Sequence, residues 1–144
     1  MFSLSKRKSH EIRAIYENII DQARQQKLYK DFGVPDKPIG RFQMIVLHAS
    51  PVFIEWGKSG EHKKSQMLFD MIFKDIEYSF REIGVGDLSV PKKMKAYMKD
   101  FNGLIHAHNA ANADHVDITR RNVFGEDGKI TKPFANYIEE LFQK

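Results

Sequence analysis

The stretch from residue 65 to residue 103 constrains the fold most, because it has the pattern of two amphipathic helices joined by a tight turn. Apolar residues on each side of the turn recur at three- and four-residue steps, which places each set on one helical face. Two apolar faces joined by so short a connection predict an antiparallel helical hairpin. The first set is Leu68, Phe69, Ile72, Phe73, Ile76, Phe80 and Ile83, and the second is Met94, Tyr97, Met98, Phe101, Leu104 and Ile105.

The turn of this hairpin carries the residues that end one helix and start the next. Gly84 follows the last apolar position, so we expect it to take the left-handed conformation that closes a helix. Asp87 or Ser89 is expected to cap the second helix through its side chain. Pro91 is tolerated in the first turn, where the amide that it lacks would have no intrahelical partner.

Before the hairpin, the sequence predicts two long helices separated by a loop. The first is expected to start at a Ser9 cap and run to about Gln26. Residues 28–41 contain two prolines and two glycines and therefore predict a loop, with Tyr29 and Phe32 as aromatic anchors. The next helix, from about residue 40 to residue 56, is apolar on all sides and should form the buried centre. Pro51 predicts a kink or break within it.

After the hairpin, a short helix is predicted over residues 116–124 and a last one behind a Thr131 cap. The fold class is therefore all-α, a single-domain bundle of about six helices spanning residues 1–144. No run of apolar residues approaches the length of a membrane span. Because the acidic residues near the start argue against a transit peptide, we expect a cytoplasmic, unprocessed chain.

The sequence offers little sign of metal or cofactor chemistry. The absence of cysteine excludes disulfides, thiolate metal sites and thiol nucleophiles. His106 and His108 would lie about 200° apart on a helix, so they cannot chelate one ion, and we expect His108 to be a hydrogen-bonded core residue. No phosphate-binding glycine loop is present, so no cofactor or small-molecule substrate is expected. An enzyme using Asp75, Glu82 and His48 would require a pocket that brings the three together.

Two polar features leave alternatives open. Asp75, Ser79 and Glu82 form a row beside the apolar stripe, which is either hydrogen-bonded to neighbouring helices or the polar rim of a docking surface. The following helix carries a basic stripe, which is a solvated face, a membrane-surface contact or a phosphate-tracking surface. That helix lacks the side chains that read base edges at its start, so no DNA partner is expected. The stripe consists of Lys92, Lys95 and Lys99.

Several blocks in order resemble the ubiquinol–cytochrome c chaperone family, whose members are assembly factors for respiratory complex III. The blocks are YKDFGVPDKPIGRFQMIVLHA, QMLFDMIFKDIEYSFREIGVGDLSVPKKMK, FNG and RRNVFG, which together cover residues 29–125. The resemblance, to a short bacterial-type member, implies an all-helical fold and no enzymatic activity. It also implies binding of newly made cytochrome b, and for the mitochondrial members attendance at the ribosome tunnel exit.

The resemblance and the unexplained polar positions together select the candidate partner-binding residues. The first hypothesis is a chaperone that binds apocytochrome b or a complex III assembly intermediate at the inner face of the cytoplasmic membrane, with the turn at or beside its working surface. The alternative is a basic ribosome- or RNA-binding module that uses the lysine stripe and weakens with salt. The candidate residues are Asp36, Arg41, Asp75, Arg81, Glu82, Asp87, Lys92 and Lys93.

Overall fold

The computed structural model describes residues 2–86 and 88–143, and within these ranges the chain forms helices and no strand. The predicted all-α single-domain bundle is confirmed. The one addition is a five-residue helix, α2, within the first half of the predicted loop. The helices are α1 (Phe2–Ala23), α2 (Gln26–Lys30), α3 (Pro38–Ser59), α4 (His62–Glu82), α5 (Val90–His108), α6 (His115–Phe124) and α7 (Lys132–Gln143).

Helix α3 is the centre of the bundle, as its apolar composition predicted. It packs against α1, α4, α5, α6 and α7. Every residue from Val46 to Ser50 is buried. The expected break at Pro51 does not occur, because α3 continues to Ser59. Proline removes the bond to the carbonyl of Leu47, but neighbours on several sides hold the helix together at that point.

The predicted hairpin is formed by α4 and α5. The ring of Phe80 packs on Tyr97 with centroids 5.1 Å apart, and the ring of Phe73 packs on Phe101 at 5.4 Å. Moving toward the start of α4 thus corresponds to moving toward the end of α5, so the two helices run antiparallel. Their aromatic residues join the larger of two core clusters, which lies among α1, α3, α4 and α5.

The turn after α4 closes as predicted. Gly84 has φ of 86°, in the left-handed region. The amide of Val85 donates to the carbonyl of Phe80 at 3.1 Å, and that of Gly84 donates to Arg81 at 3.3 Å, which together form a Schellman motif. The capping prediction for Ser89 is wrong: Ser89 precedes α5 but has helical backbone angles, so its side chain makes no capping bond. Asp87 lies outside the described residues.

The start of the first helix was predicted wrongly from the sequence, and the start of the last helix was predicted correctly. Helix α1 already begins at Phe2 and ends at Ala23, so the Ser9 cap was wrong and Ser9 lies inside the helix. The Thr131 cap is confirmed, since its hydroxyl accepts a bond from the amide of Phe134 at 3.4 Å. Phe134 belongs to the second core cluster, which joins α7 to α3 and to the segment around α2.

Candidate functional site

An open groove of about 630 Å³ lies between the end of α1, α2, the start of α3 and the end of α4. Its floor is apolar because each of these helices turns a hydrophobic face toward it, and Tyr97 of α5 closes one side. The groove is large enough to hold several side chains of another molecule. The apolar lining residues are Ile20, Ala23, Pro38, Phe42, Ile45, Ile76, Phe80 and Ile83.

The rim of this amphipathic groove is charged with both signs. Arg41 pairs with Asp36 at 2.8 Å, and both side chains are mostly exposed, so the pair contributes little to stability. Arg24 and Lys30 also line the groove, and no ion pair or hydrogen bond of their side chains occurs within the described ranges. Glu82 completes the rim. The rim therefore retains charge that a bound molecule can use.

The structure brings three of the predicted partner-binding residues to the groove, namely Asp36, Arg41 and Glu82. Arg81 points along the exposed face of α4, where it pairs with Glu77 at 3.3 Å. Asp75, Lys92 and Lys93 are not among the residues that line the groove, and Asp87 lies outside the described residues. Lys92 and Lys93 are exposed in the first turn of α5.

Asp75 is hydrogen-bonded to a neighbouring helix, which is one of the two alternatives that the sequence left open for the polar row. The hydroxyl of Tyr16 on α1 donates a hydrogen bond to its carboxylate, which ties α4 to α1. Tyr16 is buried, and its pKa is raised by burial first and by the bond to Asp75 second. The hydroxyl of Ser79 donates to the carbonyl of Asp75 in its own helix. The polar row thus divides into a helix-to-helix contact at Asp75 and groove positions at Ser79 and Glu82.

Sequence reasoning missed Arg24 and Lys30 as groove residues. It extended α1 to about residue 26 and treated the following residues as loop, so neither cation could be assigned to a common surface. The chain in fact leaves α1 at Ala23 and starts α2 at Gln26, which brings both cations beside the groove. The start of α3 at Pro38, two residues before the predicted one, could have been predicted from the preference of proline for the first helical turn.

The ring nitrogens of His48 are bonded to Met44 and Tyr137 and not to Asp75 or Glu82, so the three-residue arrangement that the enzyme hypothesis required is not formed. Its Nδ1 lies 2.7 Å from the carbonyl of Met44 and must donate, because a carbonyl only accepts. Its Nε2 therefore accepts from the hydroxyl of Tyr137 at 2.6 Å, and Gln25 donates to the same hydroxyl at 2.9 Å. Burial lowers the pKa of His48 to about 4. This buried chain of bonds joins α3 to α7.

His108 is a buried, hydrogen-bonded residue, as predicted. Its Nδ1 lies 2.9 Å from the Nδ1 of His115, and both rings stack on Phe142. Burial lowers the pKa of His108 to about 4, with a further lowering from the nearby His115. Among the residues that the structure describes, no group of three or more histidines and carboxylates could hold a metal ion.

A second, shallower depression of about 560 Å³ lies between α5, α6 and the start of α3. Gly103 lies in its lining, and a methyl group added there would meet no atom within 4 Å. Leu104 and Ile118 form part of its apolar floor, and Lys99 and Arg121 belong to its lining. No helix in the described part of the chain is long and apolar enough to cross a bilayer.

The geometry defines an all-α binding domain with an open amphipathic groove. Residues 30–139 match the family model described as ubiquinol-cytochrome C chaperone. The chain is also similar to the crystal structure of the Cbp3 homolog from Brucella abortus, with 31% identity over 99% of this chain and 84% of that chain and a TM-score of 0.70. A search of the curated proteins finds no match. The chain belongs to the ubiquinol–cytochrome c chaperone family, as the sequence blocks predicted.

Proposed function

We propose that this protein is an assembly chaperone for respiratory complex III and that it binds newly made cytochrome b stoichiometrically. The family membership supports the assembly role, and the open groove supports binding of another chain. The mechanism is physical: the groove covers an apolar segment of the client until partner subunits replace the chaperone. No bond of the client is made or broken, so the protein is not an enzyme.

The observation that carries the proposal is the combination of an apolar floor with unused charge on the rim of one groove. A membrane protein that has not yet assembled exposes apolar segments with charged or polar flanks. The floor around Phe42 and Ile45 fits the apolar part of such a segment. Arg24 and Lys30 are placed to hold an acidic or carbonyl-rich flank.

We place this activity in the cytoplasm, at the inner face of the membrane that receives cytochrome b. There the chaperone meets its client in peripheral contact with the bilayer and close to the ribosome that makes it. The exposed Lys92, Lys95 and Lys99 favour a second candidate, the basic ribosome- or RNA-binding module. That candidate predicts RNA binding that falls steeply as salt rises, independent of the groove.

A deletion strain tests the proposal. Loss of the gene should lower assembled complex III while cytochrome b is still synthesised at its normal rate. Reintroducing the chain with Arg24→Glu and Lys30→Glu should fail to restore complex III. The matched control is Lys58→Glu with Lys63→Glu, which reverses two exposed lysines near the α3–α4 connection and should restore it. Normal complex III in the deletion strain would contradict the proposal.

A further inference from the structure

The tip of the hairpin, defined here as residues 83–86 with Leu88 and Ser89, exposes aliphatic side chains to an unusual extent. Leu88 is 96% exposed and Ile83 is 64% exposed. Only two other large hydrophobic residues in the described ranges are comparably open, Tyr78 and Ile39. A leucine this open makes little contact within its own chain, and together with Ile83 it forms a small apolar surface at the turn that an external apolar partner can cover.

The surroundings of the hairpin tip are basic. Residues 81–95 contain four basic and two acidic side chains. Lys92, Lys93 and Lys95 follow the tip directly and are exposed, and in the described part of the chain none of them forms an ion pair. Of the two acids, Glu82 lines the groove and hydrogen-bonds to Tyr78. Unpaired lysines beside open aliphatic residues are the combination that anionic bilayer surfaces attract.

We propose that the hairpin tip docks on an anionic lipid surface, with Leu88 and Ile83 entering the headgroup region and Lys92 and Lys93 facing the lipid charges. Aliphatic side chains gain by leaving water at the bilayer interface, and lysines near it gain from the negative surface potential. The contact is peripheral and reversible, because two aliphatic side chains and a few lysines are far less than a membrane-spanning helix provides.

The chemistry of the tip favours lipid over RNA. Single-stranded RNA is held by aromatic stacking in addition to positive charge, whereas the residues that protrude here are aliphatic. A surface that only tracks phosphates would gain nothing from a fully exposed leucine. The lysines alone fit either partner, so Leu88 is the residue that distinguishes them.

The docking tip deepens the proposed function and rests on it in one respect, namely that the client is met at a membrane. Ile83 belongs to the hairpin tip and also lines the amphipathic groove. The groove therefore opens beside the docked surface, where an apolar client segment is available before it is fully inserted. Docking itself is a property of the tip alone and can be measured without the client.

Flotation of the whole chain with lipid vesicles tests the docking tip. The unchanged protein should float with vesicles of phosphatidylcholine and phosphatidylglycerol and much less with phosphatidylcholine alone. Leu88→Ser should weaken binding to the mixed vesicles about tenfold, and Lys92→Glu with Lys93→Glu at least as much. Ile39→Ser, on α3, and the Lys58→Glu, Lys63→Glu pair are matched controls that should bind normally.

The outcomes separate docking from client binding. Arg24→Glu with Lys30→Glu should still float, whereas Leu88→Ser should still bind the client in detergent solution. Docking is overturned if the unchanged chain does not float, if Leu88→Ser floats as well as the unchanged chain, or if the controls lose binding equally. Binding of RNA through the same lysines without flotation would also overturn it and would favour the RNA-binding module.

Discussion

The seam between α3 and α7 and the hairpin tip differ in how far their side chains are buried and bonded within the chain. In the seam, Phe134 is fully buried and stacks on Phe32 with centroids 4.9 Å apart, and His48 and Tyr137 satisfy one another within the chain. At the tip, Leu88 is almost fully open. Side chains of the seam contact one another within the chain, whereas side chains of the tip and of the adjoining groove remain open to another molecule.

This difference separates stability from function. In the described residues no buried side-chain nitrogen or oxygen lacks a hydrogen-bond partner, so the interior provides no sign of a reactive or unfinished site. Exposed apolar side chains, and charges without an ion pair among the described residues, lie in the groove and at the tip instead. Substitutions in the seam should therefore change the free energy of unfolding, and substitutions at the tip or on the groove rim should change binding alone.

Phe134→Ala should produce the largest effect. It removes a fully buried ring from the second core cluster and should lower the free energy of unfolding by about 3–5 kcal/mol. Leu88→Ala is the matched change at the tip and should leave stability unaltered. Urea unfolding followed by circular dichroism measures both. Similar losses for the two variants would break the comparison.

Acid should weaken the seam next most strongly. The pKa values of His48 and His108 are about 4 in the folded chain and 6.5 ordinarily, so the unfolded chain binds their protons first as pH falls. Stability is full above about pH 6.5 and declines toward pH 4, by about 2 kcal/mol per histidine between about pH 7 and pH 5. Urea midpoints across this range measure the decline.

The control for acid weakening is His106→Gln, an exposed position on α5 that should leave the pH profile unchanged. His108→Asn should make the profile shallower, because one of the two depressed groups is removed. A stability that stays constant between about pH 7 and pH 5 would show that these histidines are not buried as described.

Tyr16→Phe should have a moderate effect. It removes the hydroxyl that binds Asp75 and should cost about 1–2 kcal/mol, because a bond to a charged acceptor between α1 and α4 is lost. Tyr78→Phe removes a hydroxyl from an exposed tyrosine that bonds to Glu82 and should leave stability unaltered. Thermal unfolding of the pair measures the difference. Equal melting temperatures for the two variants would show that the bond between Tyr16 and Asp75 does not stabilise the fold, and Asp75 would then remain a candidate for partner binding only.

Gly103→Ala should have the smallest effect and the opposite sign. A methyl group there meets no atom, so replacing a helical glycine should stabilise the chain by roughly 0.5–1 kcal/mol. Gly40→Ala is the contrasting variant, since its methyl group would lie 1.9 Å from the carbonyl oxygen of Pro35 and should destabilise the chain. Chemical unfolding of both checks the sign. Destabilisation by Gly103→Ala would mean that the α5–α6 depression is closed in solution.

The sequence predicted the parts of this fold that depend on local periodicity. The hairpin, the closing Gly84 and the buried α3 follow from apolar spacing and glycine geometry, which act over a few residues. The continuation through Pro51 did not, because neighbouring helices pack around α3 and override the local signal there. The start of α1 at Phe2 was also missed, because a potential capping residue such as Ser9 also occurs inside a helix. Ser89 shows a third limit, since a capping residue acts only where the backbone places it outside the helix.

The groove was only partly predictable. Asp36, Arg41 and Glu82 were selected from the family resemblance and the polar row, and the structure places all three on one rim. Arg24 and Lys30 join them only through the folding of α1 and α2 around α3, which no local pattern encodes. A surface made by four separate segments requires the tertiary fold to be known.

Site-directed crosslinking measures the central claim most directly, because the chain has no cysteine and a single introduced thiol is unique. Arg24→Cys places that thiol on the groove rim, and Lys58→Cys places one on an exposed position outside the groove lining. With newly synthesised cytochrome b, a thiol crosslinker should join the client to Arg24→Cys and leave Lys58→Cys unjoined. Equal crosslinking from both positions, or crosslinking from Lys58→Cys alone, would contradict a client site in the groove.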